Sequence, residues 1–163
     1  MSIDADDPGR GGDVSSPSSV DARSVIDALG LRAHPEGGWF AETWRAEAPD
    51  GGRPTGSAIL YLLATGEHSA WHRVDADEIW QYSAGDPLEL RVWGVGDELV
   101  TVHHLGGNLT KGSLVQVVVP AGAWQAATPL GAWTLVGCIV TPAFEYGGFE
   151  LALPDWEPPA PAG

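Results

Sequence analysis

Ten short runs of β-forming residues, separated by glycine, proline and aspartate, constrain the fold of this chain more than any other feature. The runs follow one another at intervals of roughly 8–12 residues, with no helical segment between them. This spacing predicts an all-β, antiparallel sandwich or barrel, and a jelly roll is the commonest way to close that many strands in one domain. The predicted strands cover residues 39–45, 57–64, 70–74, 78–82, 88–95, 99–105, 114–119, 124–128, 134–141 and 149–153.

Alternation along the strands predicts which side chains share a face, because successive residues of a strand point to opposite sides of the sheet. If Glu78 points into the barrel, Trp80 and Tyr82 point the same way. By the same rule His72 shares its face with Val74. The predicted interior therefore holds titratable and aromatic side chains together.

One short helix is predicted before the first strand. Apolar residues recur at helical spacing within 20–30, Ser19 or Asp21 is available as the N-cap, and Gly30 ends the helix.

The ends of the chain differ in composition from the middle. Residues 1–18 have almost nothing apolar to bury, and residues 154–163 are rich in proline. Both segments are predicted to be flexible tails, disordered at the N-terminus, around a single domain that spans residues 19–153.

The charge balance excludes some classes of partner. The chain has 8 lysines and arginines against 22 aspartates and glutamates, which gives a net charge of −14. Such a field repels nucleic-acid phosphates and anionic lipid surfaces, so neither is an expected partner. The single cysteine, Cys138, cannot form an internal disulfide, and the N-terminus lacks the pattern of a secretory signal. These features predict a soluble, cytoplasmic protein.

Six sequence blocks, in order, resemble the Cupin_5 (DUF985) branch of the cupins over about residues 25–153. The blocks are His34–Arg45, Ser69–Arg73, Asp77–Trp80, Gly85–Leu88, Val119–Ala126 and Val136–Val140 followed by Phe144-Glu145. The resemblance implies a jelly-roll β-barrel with an internal pocket for a small-molecule metabolite, often in a homodimer. It implies no particular reaction, because that branch has largely lacked one.

Two of the metal-ligand positions of the cupin pattern are altered in this chain. His72 and Glu78 occupy their expected positions, whereas Ala70 stands in place of the first histidine and Gln125 in place of the last. An amide oxygen is a weak, neutral ligand, so the set is poorer than the usual three histidines and a carboxylate. We therefore expect no cofactor, with one divalent transition metal (Fe, Mn, Ni or Zn) on His72, Glu78 and Gln125 as the alternative.

Acid–base chemistry is possible with the same residues and no metal. A histidine with a pKa near neutrality can abstract a proton, a carboxylate can orient it, and a phenol can donate. Metal-free sugar-nucleotide 3,5-epimerases, which the chain resembles only in fold, use a histidine base and a tyrosine acid. The predicted catalytic residues are His72 as base, Glu78 as its orienting partner and Tyr82 as acid. The predicted substrate-binding residues are Arg45, Gln125 and, by stacking, Trp80.

The leading hypothesis is thus a metal-independent isomerase, epimerase or lyase. The alternatives are a metal-dependent oxygenase or isomerase and a non-catalytic ligand-binding module. Each residue also has a structural interpretation: His72 as a hydrogen-bonded core histidine, Glu78 as the partner of an arginine, and Tyr82 as a packing residue. The segment His34–Gly38 is interpreted as a tight turn that precedes the first strand.

Overall fold

Residues 20–159 are described by the computed structural model, and they form two antiparallel β-sheets packed face to face, a jelly-roll sandwich with one short α-helix. The helix α1 spans Ala22–Leu29. The strands are β1 (Arg32–Ala33), β2 (Trp39–Arg45), β3 (Ser57–Ala64), β4 (Ser69–Val74), β5 (Asp77–Gly85), β6 (Leu88–Trp93), β7 (Thr101–Leu105), β8 (Gln116–Val119), β9 (Trp124–Pro129), β10 (Trp133–Thr141) and β11 (Phe149–Leu151).

The two sheets have different strand orders. The first sheet has the order β1-β2-β3-β10-β5-β8, and the second has the order β11-β4-β9-β6-β7. Neighbouring strands in both sheets are often distant in sequence, as where β10 lies between β3 and β5. This order places β4 and β5, which carry His72 and Glu78, in opposite sheets.

All ten predicted strands are present, and the bounds of β2 and β3 agree with the prediction. The two-residue strand β1 was not predicted, because Arg32–Ala33 carries no strand pattern of its own and pairs only with the start of β2. Strand β5 extends to Gly85, beyond its predicted end, because it pairs with β10 through a register shift that opposes Ala84 to Leu135.

The predicted helix is confirmed, and its capping is local. The Asp21 side chain accepts a hydrogen bond from the Ser24 backbone N–H at 2.8 Å, and Gly30 adopts the left-handed conformation with φ 62°. A carboxylate at the N-cap satisfies a free helical N–H, and glycine tolerates positive φ at the end. Ile26 then packs with Leu62 on the face of the first sheet that points away from the second sheet.

The main core lies between the sheets. It contains large side chains that are almost completely buried, with exposed fractions of 1% for Tyr61 and Trp80 and 0% for Leu90. Burial of side chains of this size contributes about 1.5–3 kcal/mol each, so this layer provides much of the stability.

A cluster of tryptophans covers the outer face of the second sheet. Trp71, Trp93 and Trp124 pack there with Trp156, whose ring centroid lies 4.5 Å from that of Trp124. The Trp71 indole N–H donates to the Glu157 carboxylate at 2.9 Å. These contacts give Trp156 and Glu157 a defined position on the sheet.

The flexible tail predicted over residues 154–163 remains a prediction, because it extends beyond the described residues, which end at 159. The proline content suggested flexibility, but Trp156 supplies apolar surface that packs on the tryptophans of the sheet. The disorder predicted for residues 1–18 falls outside the described residues. Within residues 20–159, no helix has the length and apolar character that a membrane crossing requires.

Candidate functional site

A cavity of about 260 Å³ lies between the two sheets and reaches the surface at one end. Its buried part is lined by titratable residues that include His34, Glu36, His72 and Glu78. Its outer part is lined by the aromatic residues Phe40, Phe144, Tyr146 and Phe149 and by the charged residues Arg32, Glu42 and Arg45. The cavity therefore combines a polar interior with an aromatic mouth that carries two arginines and one glutamate.

His72 on β4 is fixed by its backbone neighbour. Its Nδ1 lies 2.9 Å from the Ala70 carbonyl oxygen, which can only accept, so Nδ1 carries the hydrogen. The other ring nitrogen, Nε2, lies 3.2 Å from Glu36 Oε2. In the neutral imidazole, Nε2 is consequently the basic nitrogen, and it is the one next to a carboxyl group.

Glu36 enters the cavity from a tight loop between β1 and β2. Gly37 and Gly38 in this loop have φ values of 110° and 70°, which favour glycine. The Tyr61 hydroxyl donates to the Gly37 carbonyl at 2.7 Å, and the Ala70 N–H donates to the Glu36 carbonyl at 2.8 Å. These bonds hold the loop against both sheets.

The Glu36 carboxyl group is partnered on both oxygens. The Ser69 hydroxyl donates to Oε1 at 2.9 Å, and His72 lies beside Oε2. His34 is a second neighbour of Oε2. Its Nδ1 lies 3.6 Å from that oxygen and accepts from the Glu36 backbone N–H at 3.3 Å. Glu36 is thus the centre of the polar cluster.

Burial sets the protonation states of this cluster. It raises the pKa of Glu36, although the charge of His34 and the hydrogen bonds of Ser69 and Tyr61 oppose the rise. Burial also lowers the pKa of His72, against the opposing charge of Glu78. Because desolvation disfavours both charged forms, burial favours a neutral Glu36 carboxyl group beside a neutral His72 imidazole.

Glu78 on β5 is the second buried carboxyl group of the cavity. The Gln125 amide donates to its Oε2 at 2.5 Å, and the Trp80 indole N–H donates to the Gln125 oxygen at 2.8 Å. Burial raises the pKa of Glu78, with the His72 charge opposing and the Glu36 charge reinforcing the rise. The Cys138 thiol also lies beside this carboxyl group, and burial raises the pKa of Cys138 well above its ordinary value.

Three of the predicted site residues line the cavity. His72 and Glu78 face it from opposite sheets, and Arg45 lies at its mouth. Glu78 was predicted to orient the His72 imidazole. The groups in contact with the imidazole are instead the Glu36 carboxyl group and the Ala70 carbonyl. The Arg45 guanidinium is already engaged, by the Glu42 carboxylate at 2.7 Å and the Phe144 carbonyl at 3.1 Å.

Three other predicted residues lie outside the lining. Trp80 has an exposed fraction of 1% and packs edge-on against Tyr61, so its ring has no open face for a substrate. Gln125 is completely buried behind Glu78. Tyr82 shares the inward face of Glu78 but lies roughly 13 Å further along the strand, and its hydroxyl donates to the Gly85 carbonyl at 2.6 Å.

The predicted metal ligands His72, Glu78 and Gln125 do not fit a metal centre. The Gln125 amide oxygen accepts from Trp80 and its nitrogen donates to Glu78, so the atom that Gln125 turns toward Glu78 is an amide nitrogen, which has no lone pair available for a metal. Within residues 20–159, no group of three or more His, Cys, Asp or Glu side chains is arranged to hold a metal ion.

Sequence reasoning missed the role of the loop that carries His34 and Glu36. The segment was interpreted as a turn, and its double glycine does make one. The signal that pointed to a site was the presence of two titratable residues beside the glycines that turn the chain. Tyr61 and Ser69 were missed because each contacts the loop only through the packing of distant strands.

Solved structures with a similar fold include two of substantial sequence identity. Protein SO0799 from Shewanella oneidensis is 36% identical with a TM-score of 0.77, over 82% of this chain and 85% of that one. A hypothetical protein from Leishmania major is 32% identical with a TM-score of 0.71, over 80% of this chain and 86% of that one. No curated protein matches the sequence.

A more distant likeness extends to oxalate decarboxylase from Bacillus subtilis, at 14% identity and a TM-score of 0.57, over 74% of this chain and 29% of that one. At that identity the likeness shows the fold alone. The family model described as Cupin superfamily (DUF985) matches residues 23–152, which is most of the chain. This chain therefore belongs to the DUF985 family of the cupin superfamily.

Proposed function

We propose that this cupin is an enzyme that moves a proton within a small metabolite, as an isomerase, epimerase or lyase. One observation carries the proposal: the buried contact of 3.2 Å between His72 Nε2 and Glu36 Oε2, in an imidazole whose tautomer is fixed by the Ala70 carbonyl. A fixed base beside a protonated carboxyl group is a suitable arrangement for general acid–base catalysis.

The proton transfer would use both groups of the pair. Nε2 of neutral His72 accepts a proton from an acidic C–H or O–H of the substrate, and the neutral Glu36 carboxyl group returns one to a neighbouring substrate atom. Glu36 then recovers its proton from the His72 imidazolium, 3.2 Å away. The adjacency of the two groups favours transfer between neighbouring atoms on one face of the substrate.

The pKa shifts support these roles. The raised pKa of Glu36 brings a carboxyl group toward neutrality as an acid, and the lowered pKa of His72 keeps the imidazole available as a base. Catalytic groups are most effective when their pKa values lie near the working pH. Glu78, whose pKa is also raised, is a second carboxyl group that can donate to the substrate.

The dimensions of the cavity limit the substrate. At about 260 Å³, it lies just below the roughly 300–1,000 Å³ typical of pockets for drug-sized ligands. We propose a substrate of that limited size, and a reaction that needs no cofactor, since the buried pair supplies both acid and base. The homodimeric state and the cytoplasmic location expected from the sequence remain proposals alongside it.

Hydrogen exchange tests the proposal even while the substrate is unidentified. The protein is incubated in D₂O with a library of small metabolites that carry acidic C–H bonds, and deuterium uptake is measured by mass spectrometry. We expect at least one compound to gain deuterium at carbon. His72→Gln and Glu36→Gln are expected to slow the uptake by about 10²–10⁴-fold, which is the usual contribution of one acid or base.

A matched histidine variant provides the control. His103→Gln changes a histidine on β7, outside the cavity lining, and should leave the uptake unchanged. Uptake that persists in folded His72→Gln and Glu36→Gln would remove these residues from the chemistry. Saturable binding without uptake by any bound compound would instead support a non-catalytic binding module.

A further inference from the structure

The distribution of basic residues around the cavity contrasts with the charge of the whole protein. The chain has 8 lysines and arginines against 22 acidic residues, yet two of the arginines, Arg32 and Arg45, lie at the mouth of this one cavity. The overall field repels anions from the surface. Glu42 lines the same mouth and pairs with Arg45, so the uncompensated positive charge at the mouth is that of Arg32.

The two arginines are in different states. Arg45 is engaged by Glu42 and by the Phe144 carbonyl. Arg32 lies over the Phe40 ring, with its guanidinium carbon 4.8 Å from the ring centroid, and makes no ion pair or side-chain hydrogen bond within residues 20–159. Stacking on the ring holds the guanidinium in place and leaves its N–H groups free for a ligand.

The interior of the cavity does not oppose an anion. Glu36 and Glu78 are both buried, and burial raises the pKa of each. A raised pKa favours the neutral form of a carboxyl group, which does not repel a bound carboxylate. Arg32 is therefore the cation best placed to pair with an anionic ligand that enters through the aromatic mouth.

We propose that the cavity binds a small organic acid, whose carboxylate pairs with Arg32 and whose apolar or planar body packs among Phe40, Phe144 and Phe149. This inference rests on the proposed function, because it names the substrate class of the same site. The acid end remains at the mouth, and the reacting atoms of the body reach His72 and Glu36 inside. A guanidinium fork matches the two oxygens of a carboxylate, and a single such fork suits a singly charged group.

The volume sets the size of the acid. At about 260 Å³, the cavity lies below the roughly 300–1,000 Å³ of pockets for drug-sized ligands. A small acid with one ring therefore suits this space. Benzoate has that size and serves as the probe, with benzamide as its neutral analogue and inorganic phosphate as a compact anion.

The experiment measures binding of these three probes by calorimetry. Wild-type protein is expected to bind benzoate about tenfold more tightly than benzamide, which is the effect of one partly exposed charge-assisted pair. Arg32→Gln should remove this preference and leave benzamide binding within about twofold. Arg23→Gln, which makes the same change of charge on the exposed surface of α1, should leave the preference intact.

Three results would overturn the inference: equal affinity for benzoate and benzamide, an unchanged preference in Arg32→Gln, or phosphate binding in the cavity more tightly than benzoate. Absence of saturable binding by benzoate, 2-furoate and cyclohexanecarboxylate would overturn it as well. The proposed function fails separately. Carboxylate binding without deuterium uptake by any metabolite, acidic or neutral, would refute proton transfer alone, and uptake confined to neutral metabolites would refute the acid preference alone.

Discussion

Replacing Gln125 with methionine should destabilise the protein by about 3 kcal/mol, because this buried amide connects two other buried polar groups. Gln125 has an exposed fraction of 0%. Its oxygen accepts from the Trp80 indole and its nitrogen donates to Glu78. Methionine is close in size and shape, so the change removes both hydrogen bonds and leaves little cavity.

The magnitude follows from the groups that lose their partner. An unsatisfied indole N–H in the core costs about 1–3 kcal/mol, and a carboxyl group that loses its donor costs a similar amount. The repacking of a volume-conserving substitution adds less than about 1.5 kcal/mol. The two hydrogen bonds therefore dominate the expected loss.

The assay is urea unfolding followed by tryptophan fluorescence, with Trp80→Phe and the double variant measured beside Gln125→Met. Trp80→Phe removes the indole donor, so the cost of Gln125→Met should fall by about 1–2 kcal/mol in that background. A cost below about 1 kcal/mol in the wild-type background, or no coupling between the two changes, would refute the reasoning.

The same variant has a defined pH dependence. Donation from Gln125 lowers the pKa of Glu78, so its loss raises that pKa further above the ordinary value of 4.5. A carboxyl group whose pKa is higher in the folded than in the unfolded protein does not lower the free energy of unfolding below its unfolded pKa. It lowers that free energy progressively as pH rises from the unfolded pKa through the folded pKa. Gln125→Met should therefore destabilise the protein more at about pH 9 than at about pH 4.5.

Three further predictions concern Glu36 and Gly37, in the loop between β1 and β2, and Tyr82 on β5. Glu36→Gln should raise the free energy of unfolding relative to wild type at alkaline pH but not at acidic pH, because it removes a buried carboxyl group with a raised pKa; an equal effect at both pH values in urea unfolding would contradict this. Gly37→Ala should destabilise the fold by more than about 2 kcal/mol and slow deuterium uptake, because its Cβ would meet the His68 carbonyl at positive φ; thermal unfolding close to that of wild type would argue against it. Tyr82→Phe should retain deuterium uptake, because its hydroxyl is bound to a turn carbonyl; a loss of uptake in the folded variant would restore Tyr82 as the acid.

The strand pattern predicted the fold well because alternation and turn residues act locally. Alternation placed Glu78, Trp80 and Tyr82 on one face, and the resemblance to the first cupin motif placed His72 with Glu78; both His72 and Glu78 line the cavity. Alternation did not predict whether an inward side chain reaches the cavity or is closed in by its neighbours. Trp80 points inward as predicted, but its ring is closed in by Tyr61.

The partner of His72 could not be predicted from the strand pattern. Glu36 lies far before His72 in the sequence, in a loop whose glycines predict only a turn. The contact forms because hydrogen bonds from Tyr61 and Ala70 hold that loop against both sheets. Such contacts depend on the packing of distant strands, which alternation does not encode.

Nitrogen-15 NMR of the histidine side chains across pH tests the central claim most directly, with His72→Gln used to assign the His72 signals. We predict a neutral imidazole with its hydrogen on Nδ1 and a pKa below the ordinary value of 6.5, because burial disfavours the cation. Glu36→Gln should change the Nε2 signal more than the Nδ1 signal, because only Nε2 adjoins that carboxyl group. A hydrogen on Nε2 in the neutral ring, or a pKa at or above 6.5, would contradict the assignment of His72 as the base beside a protonated Glu36.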